Sequence, residues 1–157
     1  MEYTIREMTV PEYPLLNDFL YKAIFIPDGT EPPLRNIIAS PELQIYVDQF
    51  GTLKDDFALI AEIEKKIVGA VWVRIMNDYG HIDDETPSLA ISLYEEYRGQ
   101  GIGTDMIKEM LSLLKTHGYK RVSLSVQKAN YAAEMYRKIG FDILRENEEE
   151  WIMICNL

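Results

Sequence analysis

At 157 residues, 47% of them hydrophobic and 27% charged, the sequence has the make-up of an ordered globular domain and excludes a disordered or fibrous chain. A formal net charge of −10 speaks against the basic stripe that nucleic-acid binding needs, so no nucleic-acid partner is expected and a cationic one is favoured. An anionic cofactor stays compatible with that charge, because screening beyond ~8 Å lets a local group of cations and amide N–H outweigh the average.

The length predicts a single domain over residues 1–157. The opening run MEYTIREMTV has no apolar stretch behind a basic start, and no window approaches the ~18 apolar residues of a membrane span. A cytoplasmic protein without membrane contact is therefore expected. Tyr3 to Met8 alternates and predicts a strand. Thr9 and Glu12 then have the spacing of a capping box, which predicts a helix through about Tyr21. FIPDGTEPP, from Phe25 to Pro33, is loop, and Ser40 followed by Pro41 starts a helix expected to stop near Gly51. Phe57 to Ile63 and Ile67 to Met76 are rich in β-formers and flank the charged turn Glu64, Lys65, Lys66, which predicts a hairpin. An acidic loop from Asn77 to Pro87 leads to a short strand, Ser88 to Tyr94. A helix from Gly101 to Gly118 follows, with Ile102, Met106, Met110 and Leu114 at an i+4 step that marks one buried face. Arg121 to Val126 predicts a strand and Asn130 to Ile139 a helix ended by Gly140, before closing strands near Phe141 and over Trp151 to Leu157. Cys155 is a packing residue in an apolar run, and His81 and His117 lack any metal-ligand spacing, so no metal is expected. The apolar last strand is compatible with a monomer or a homodimer.

The chemistry is concentrated in Arg98, Gly99, Gln100, Gly101, Ile102, Gly103 and Thr104, between a strand and a helix. Such a turn points unpaired backbone N–H groups outward, and the helix dipole adds roughly 0.3–1 kcal/mol for an anion, up to ~2 when partly buried. With Arg98 beside those amides, the site suits a pyrophosphate. A Rossmann fingerprint needs GxGxxG after an early strand, and a Walker loop needs GKS or GKT; neither is present.

These residues resemble the GNAT superfamily of acetyl-CoA-dependent N-acetyltransferases. Its signature Q/R-x-x-G-x-G/A is matched by Arg98, Gly101 and Gly103, and a second pattern by Asn130, Ala133, Tyr136, Gly140 and Phe141. The resemblance is strongest from Ser88 to Phe141. It implies an α/β (α+β) fold: a mixed, mostly antiparallel twisted sheet flanked by helices, splayed at a bulge in the strand before the RGQGIG turn. It implies acetyl-CoA as co-substrate, with the backbone of Ile91, Leu93 and Tyr94 pairing with pantetheine and the amides of Arg98 to Thr104 taking the pyrophosphate. Asn130 would hydrogen-bond the pantetheine arm with Ala133 also at the cofactor, and Tyr136 would be the general acid at the sulfur, unless it is a packing aromatic. Tyrosine stays protonated at neutral pH, with an ordinary pKa of ~10 against ~8.5 for a thiol.

The acceptor is expected to be a primary amine of a small molecule or peptide. For a lysine-like amine, deprotonation at pH 7 costs roughly 4–5 kcal/mol, so a base is needed. Some family members carry a carboxylate on the strand before the signature, but Ser88 to Leu93 has none. Glu62 is one candidate base, Asp83, Asp84 and Glu85 are others, and a water relay is the remaining route. Phe25, Pro27, Asp83 and Trp72 are candidates to line the acceptor cleft, with Trp72 equally placed to be core, and Tyr21 and Tyr46 share that ambiguity. The alternative function is a catalytically silent sensor or scaffold that binds acetyl-CoA.

Overall fold

The computed structural model describes residues 2–157. Its strands in chain order are β1 (Thr4–Glu7), β2 (Phe57–Ile63), β3 (Lys66–Arg74), β4 (Ser88–Leu93), β5 (Arg121–Gln127), β6 (Asp142–Glu146) and β7 (Glu150–Asn156). The helices are α1 (Leu16–Ala23), α2 (Pro41–Gln44), α3 (Ile102–Thr116) and α4 (Ala132–Ile139). One seven-stranded sheet runs β1-β2-β3-β4-β5-β7-β6, antiparallel throughout except between β4 and β5. This is the mixed, mostly antiparallel sheet flanked by helices that the resemblance implies. Among the described residues no helix is long and apolar enough to cross a membrane.

Both faces of the sheet are covered, and period-2 alternation sorts the side chains between them. On one face Leu59, Val71 and Val73 meet the stripe Ile102, Met106, Met110 and Leu114 of α3. On the other, Ala58, Ile60, Ala70 and Trp72 meet Leu16, Phe19 and Leu20 of α1. Full burial of each large apolar side chain is worth ~1.5–3 kcal/mol, so the two helices are fixed tightly against opposite faces.

Two helices begin or end where the sequence pattern does not place them. The capping box is present, with the Thr9 amide donating to Glu12 Oε1 at 2.9 Å, but it opens a 3-10 helix, Val10–Leu15. Pro14 lacks an N–H and collides with the preceding turn, so α-helical bonding starts only at Leu16. The second helix keeps its start at Pro41 but stops at Gln44 instead of running to Gly51. Arg74 Nη1 takes the carbonyls of Ile45 and Asp48 at 3.0 and 2.7 Å, holding the chain in turns. The guanidinium is itself pinned to Asp56, with Nε on Oδ1 and Nη2 on Oδ2, both at 2.9 Å. Asp56 and Arg74 are 0% and 5% exposed, so this buried pair is the anchor of the whole segment.

The feature that matters for function is the seam between β4 and β5. β4 pairs with β3 along its length, from Ser88↔Arg74 to Leu93↔Gly69, but with β5 only at Ser88↔Ser123. Beyond that pair the strands separate. The expected bulge in β4 is absent: its register with β3 is unbroken, so the strands separate without an extra residue in β4.

Candidate active site in the seam between two strands

The turn after β4 is built by backbone conformation. Gly99 and Gly101 have φ of 75° and 85°, a region costly for any residue with a Cβ, and a Cβ added at either meets nothing within 4 Å. The peptide surface is therefore open. Gly101 is the N-cap of α3, and the first amides of that helix have no intrahelical acceptor, so they face outward with the positive end of the dipole. Ile102 is 1% exposed and anchors the helix in the core, leaving only its amide for a ligand. Gly103 is buried against Leu93 and Met135. Gln100 is exposed and donates to Glu96 O at 3.3 Å. Thr104 lines a groove between α3 and α4 together with Lys108, Lys138 and Tyr131, which is 89% exposed.

The seam opens into a cleft of about 290 Å³. Leu89 and Ile91 of β4 form one wall, and Leu124 and Val126 of β5 the other. Asn130 and Tyr136 close the side next to α4. Asn130 Oδ1 accepts the Ala132 amide at 2.9 Å just before α4, which leaves its Nδ2 as the donor toward the cleft. Tyr136 is 8% exposed, and burial pushes its hydroxyl up to about 12.

The opposite side is polar. Ser125 and Gln127 of β5, Tyr46 and Glu150 line it, with Phe25 beyond the end of α1. Tyr46 donates to Asp78 Oδ2 at 3.0 Å, and burial together with the Asp78 charge raises its hydroxyl above the ordinary tyrosine range. Glu150 is half-buried and accepts from Gln127 Nε2 at 2.8 Å. Its carboxyl is raised above the usual carboxylate value by burial first and then by the charge of Glu149.

The model of the Acetyltransferase (GNAT) family matches residues 20–141, which takes in the end of α1, the seam and both sequence motifs. The chain belongs to the GNAT family. An N-alpha-acetyltransferase of Sulfurisphaera tokodaii is 29% identical over 140 residues, covering 78% of this GNAT chain and 83% of that protein. YobR of Bacillus subtilis, an uncharacterized N-acetyltransferase, is 36% identical over 76 residues, 48% of this chain and 28% of that protein. With two other relatives of similar likeness the matched share of their length is 36% and 37%, so the chain spans about a third of these curated relatives. The structure of the PaiA N-acetyltransferase from Thermoplasma acidophilum in complex with coenzyme A superposes with a TM-score of 0.71 at 20% identity, covering 100% of both chains.

Within this GNAT fold several residues singled out by sequence lie elsewhere. Trp72 is 0% exposed, with its Nε1 donating to Tyr46 O at 3.1 Å, so it is core beneath the cleft and touches no acceptor. Glu62 lies on β2, two strands away from the seam, and is ion-paired with Arg6 at 2.9 Å; an arginine-held carboxylate outside the cleft is no base for it. Asp83 pairs with Arg121 at the start of β5, roughly 13 Å along the strand from Ser125 at ~3.3 Å per residue, and so does not line the acceptor side. Asp84 is 99% exposed on the same loop. Arg98 donates from Nε to Leu93 O at 3.1 Å and from Nη2 to Lys22 O at 3.2 Å, so it clamps the turn to α1 with groups expected on the pyrophosphate. That bond also occupies the Leu93 carbonyl. The Leu93 side chain packs in the core, and Tyr94 stacks on Phe19 at 5.0 Å with its amide on Val68 O. Ala133 is 4% exposed and lets α4 sit close to the sheet.

The residue that sequence reasoning missed is Glu150. It stands in an acidic run, Glu148, Glu149, Glu150, where nothing local separates it from its solvated neighbours. The one available signal was its place at the start of the last strand, and only the pairing of β7 with β5 turns that into a position at the cleft.

Proposed function

We propose that this chain transfers an acetyl group from acetyl-CoA to a primary amine carried by a small molecule or a peptide, as a single N-acetyltransferase domain. One observation carries the reading: the seam opens at the same end of β4 as the left-handed glycine turn, so one linear ligand reaches both. The turn fits a pyrophosphate, since its amides are unpaired and no Cβ stands in the way. The exposed ring of Tyr131 between Lys108 and Lys138 suits a purine and a further phosphate. Asn130 Nδ2 and the unpaired backbone of β4 suit the amides of a pantetheine arm entering the seam.

Acetyl-CoA supplies an acetyl group activated as a thioester. Tyr136 holds its proton at neutral pH and presents it to the sulfur that leaves, while the apolar walls from Leu89, Ile91, Leu124 and Val126 keep water from the thioester. The acceptor enters from the α1 side, past Phe25 and Tyr46, and the net charge of −10 favours a cationic one. The silent-sensor alternative rested on the missing carboxylate in β4; Glu150 in the cleft, a carboxylate from another strand, favours the transferase.

Isothermal titration with acetyl-CoA followed by a thiol-release assay across an amine panel tests the reading. Binding with release on at least one amine is expected. Binding without release points to a sensor, and no binding rules out both.

A further inference from the structure

We propose that Glu150 takes the proton from the acceptor amine, and that its cross-strand partner Gln127 positions it for that step. The inference rests on the acetyl-transfer reading above and names the proton acceptor of the same site. Three observations carry it.

The first is placement. Glu150 and Gln127 face each other in the β5–β7 ladder, and cross-strand partners share a face of the sheet. Leu124 and Val126 point to the α3 face, where Tyr136 also lies, so Gln127 and Glu150 point to the α1 face. Proton donor and proton acceptor thus stand on opposite faces of the sheet at the seam. Sulfur leaves, and nitrogen enters, as different substituents of one carbon, so the two groups can serve them from different faces.

The second is fixation. The Glu150 amide donates to Asn147 Oδ1 at 2.7 Å and its carbonyl accepts the Asn147 amide at 3.0 Å, which locks the backbone in the β6–β7 turn. Gln127 holds one carboxyl oxygen at 2.8 Å and leaves the other to the cleft.

The third is electrostatic. Glu150 is the one carboxylate among the described residues lining the cleft, and no cation neutralises it. Lys128, next to Gln127 along the chain, is held by Glu146 at 2.6 Å. The groups that do face Glu150 are Glu149 beside it and Tyr46, with Asp78 behind that hydroxyl, so its surroundings favour taking up a proton. Glu62 and Asp83, by contrast, are ion-paired with Arg6 and Arg121 and do not line the cleft.

The step balances as follows. The acceptor ammonium gives one proton to the Glu150 carboxylate and becomes a neutral amine. Its lone pair forms a C–N bond to the thioester carbon, the C–S bond breaks, and the electron pair leaves on sulfur as a thiolate hydrogen-bonded by Tyr136. The nitrogen loses its second proton to water, Glu150 releases its own to solvent, and the thiolate takes one back, so one proton is released per amide formed.

The test is the pH profile of kcat/KM for the full chain, its E150Q variant and its Q127A variant, using one amine of pKa ~10 and one of ~8. The wild type is expected to show an acid limb. E150Q should lose that limb and about 10²–10³-fold in kcat/KM at neutral pH, less for the weaker amine, while acetyl-CoA affinity measured by titration stays unchanged. Q127A should lose less and shift the limb, since the carboxylate remains but is no longer held. E150Q that keeps wild-type kcat/KM and the acid limb overturns the proposal. If E150Q does not fold, a carbon-13 titration of the Glu150 carboxyl in the wild type decides, and a carboxyl that titrates apart from the acid limb also overturns it. An active wild type with an active E150Q sinks this inference alone, whereas a wild type that binds acetyl-CoA and releases no thiol sinks the transfer reading with it.

Discussion

Replacing Tyr136 by phenylalanine keeps the ring against Phe141, at a centroid distance of 6.0 Å, and removes only the hydroxyl. The magnitude follows from the burial of that group. With the hydroxyl at about 12 and a thiol near ~8.5, complete transfer to a free thiolate is uphill by roughly 3–4 pK units, or about 5 kcal/mol. The phenol therefore acts mainly as a hydrogen-bond donor to the negative sulfur that forms as the C–S bond breaks. A bond to a charged acceptor is worth ~1.5–3 kcal/mol, which at 1.36 kcal/mol per tenfold predicts a fall in kcat of roughly 10- to 10²-fold, below the larger losses seen when a full proton donor is removed. The assay is single-turnover thiol release at saturating acetyl-CoA and amine, with circular dichroism to establish folding. Cofactor affinity should barely move, and an acyl donor with a more acidic thiol should show a smaller loss. Full kcat in Y136F, with chemistry shown to be rate-limiting, would refute the role and leave Tyr136 as packing alone.

Other perturbations test the scaffold. G101V puts a β-branched side chain at φ 85° and over the open peptide surface, so the KM for acetyl-CoA should rise at least tenfold while that for the amine moves little; steady-state kinetics on the folded variant decide. D56N leaves the buried Arg74 guanidinium without its counter-charge and should cost ~3–5 kcal/mol, read as a lowered urea midpoint that R74M/D56N partly restores. Glu12 is held down at about 2, below its ordinary 4.5, chiefly by the Arg6 guanidinium. A lowered folded-state pKa stabilises above pH 4.5 and loses that contribution as pH falls toward 2, so E12Q should flatten the stability profile in that window, as measured by urea melts at successive pH values.

The parts of the molecule legible in sequence are those whose cause is local. The glycine turn and α3 follow from spacing within about twenty residues, and the hairpin β2–β3 from two β-rich runs around a charged turn. α2 was not legible in length, because Arg74, some thirty residues on, takes the carbonyls of Ile45 and Asp48 just beyond its end. The acceptor side of the site failed for the same reason. Glu62, Asp83 and Trp72 were chosen by nearness in the chain to the hairpin and its loop, yet Arg6, Arg121 and the α1 core claim them. Glu150 becomes visible only when β7 is laid beside β5.

The single pair between β4 and β5 also bears on how the protein avoids self-association. Unpaired strand edges on an outer rim are templates on which other chains add and aggregate. Here two open edges face one another inside the molecule, roofed by α4 on one side and by the Tyr46 segment on the other. A foreign β-strand brings its own side chains and neighbouring strands and is kept out, whereas a slender, amide-bearing molecule is admitted. The fold thus keeps a vacancy for backbone-like hydrogen bonding where it is safe from other polypeptides, and the stickiness that makes an edge hazardous becomes the selectivity of a binding slot.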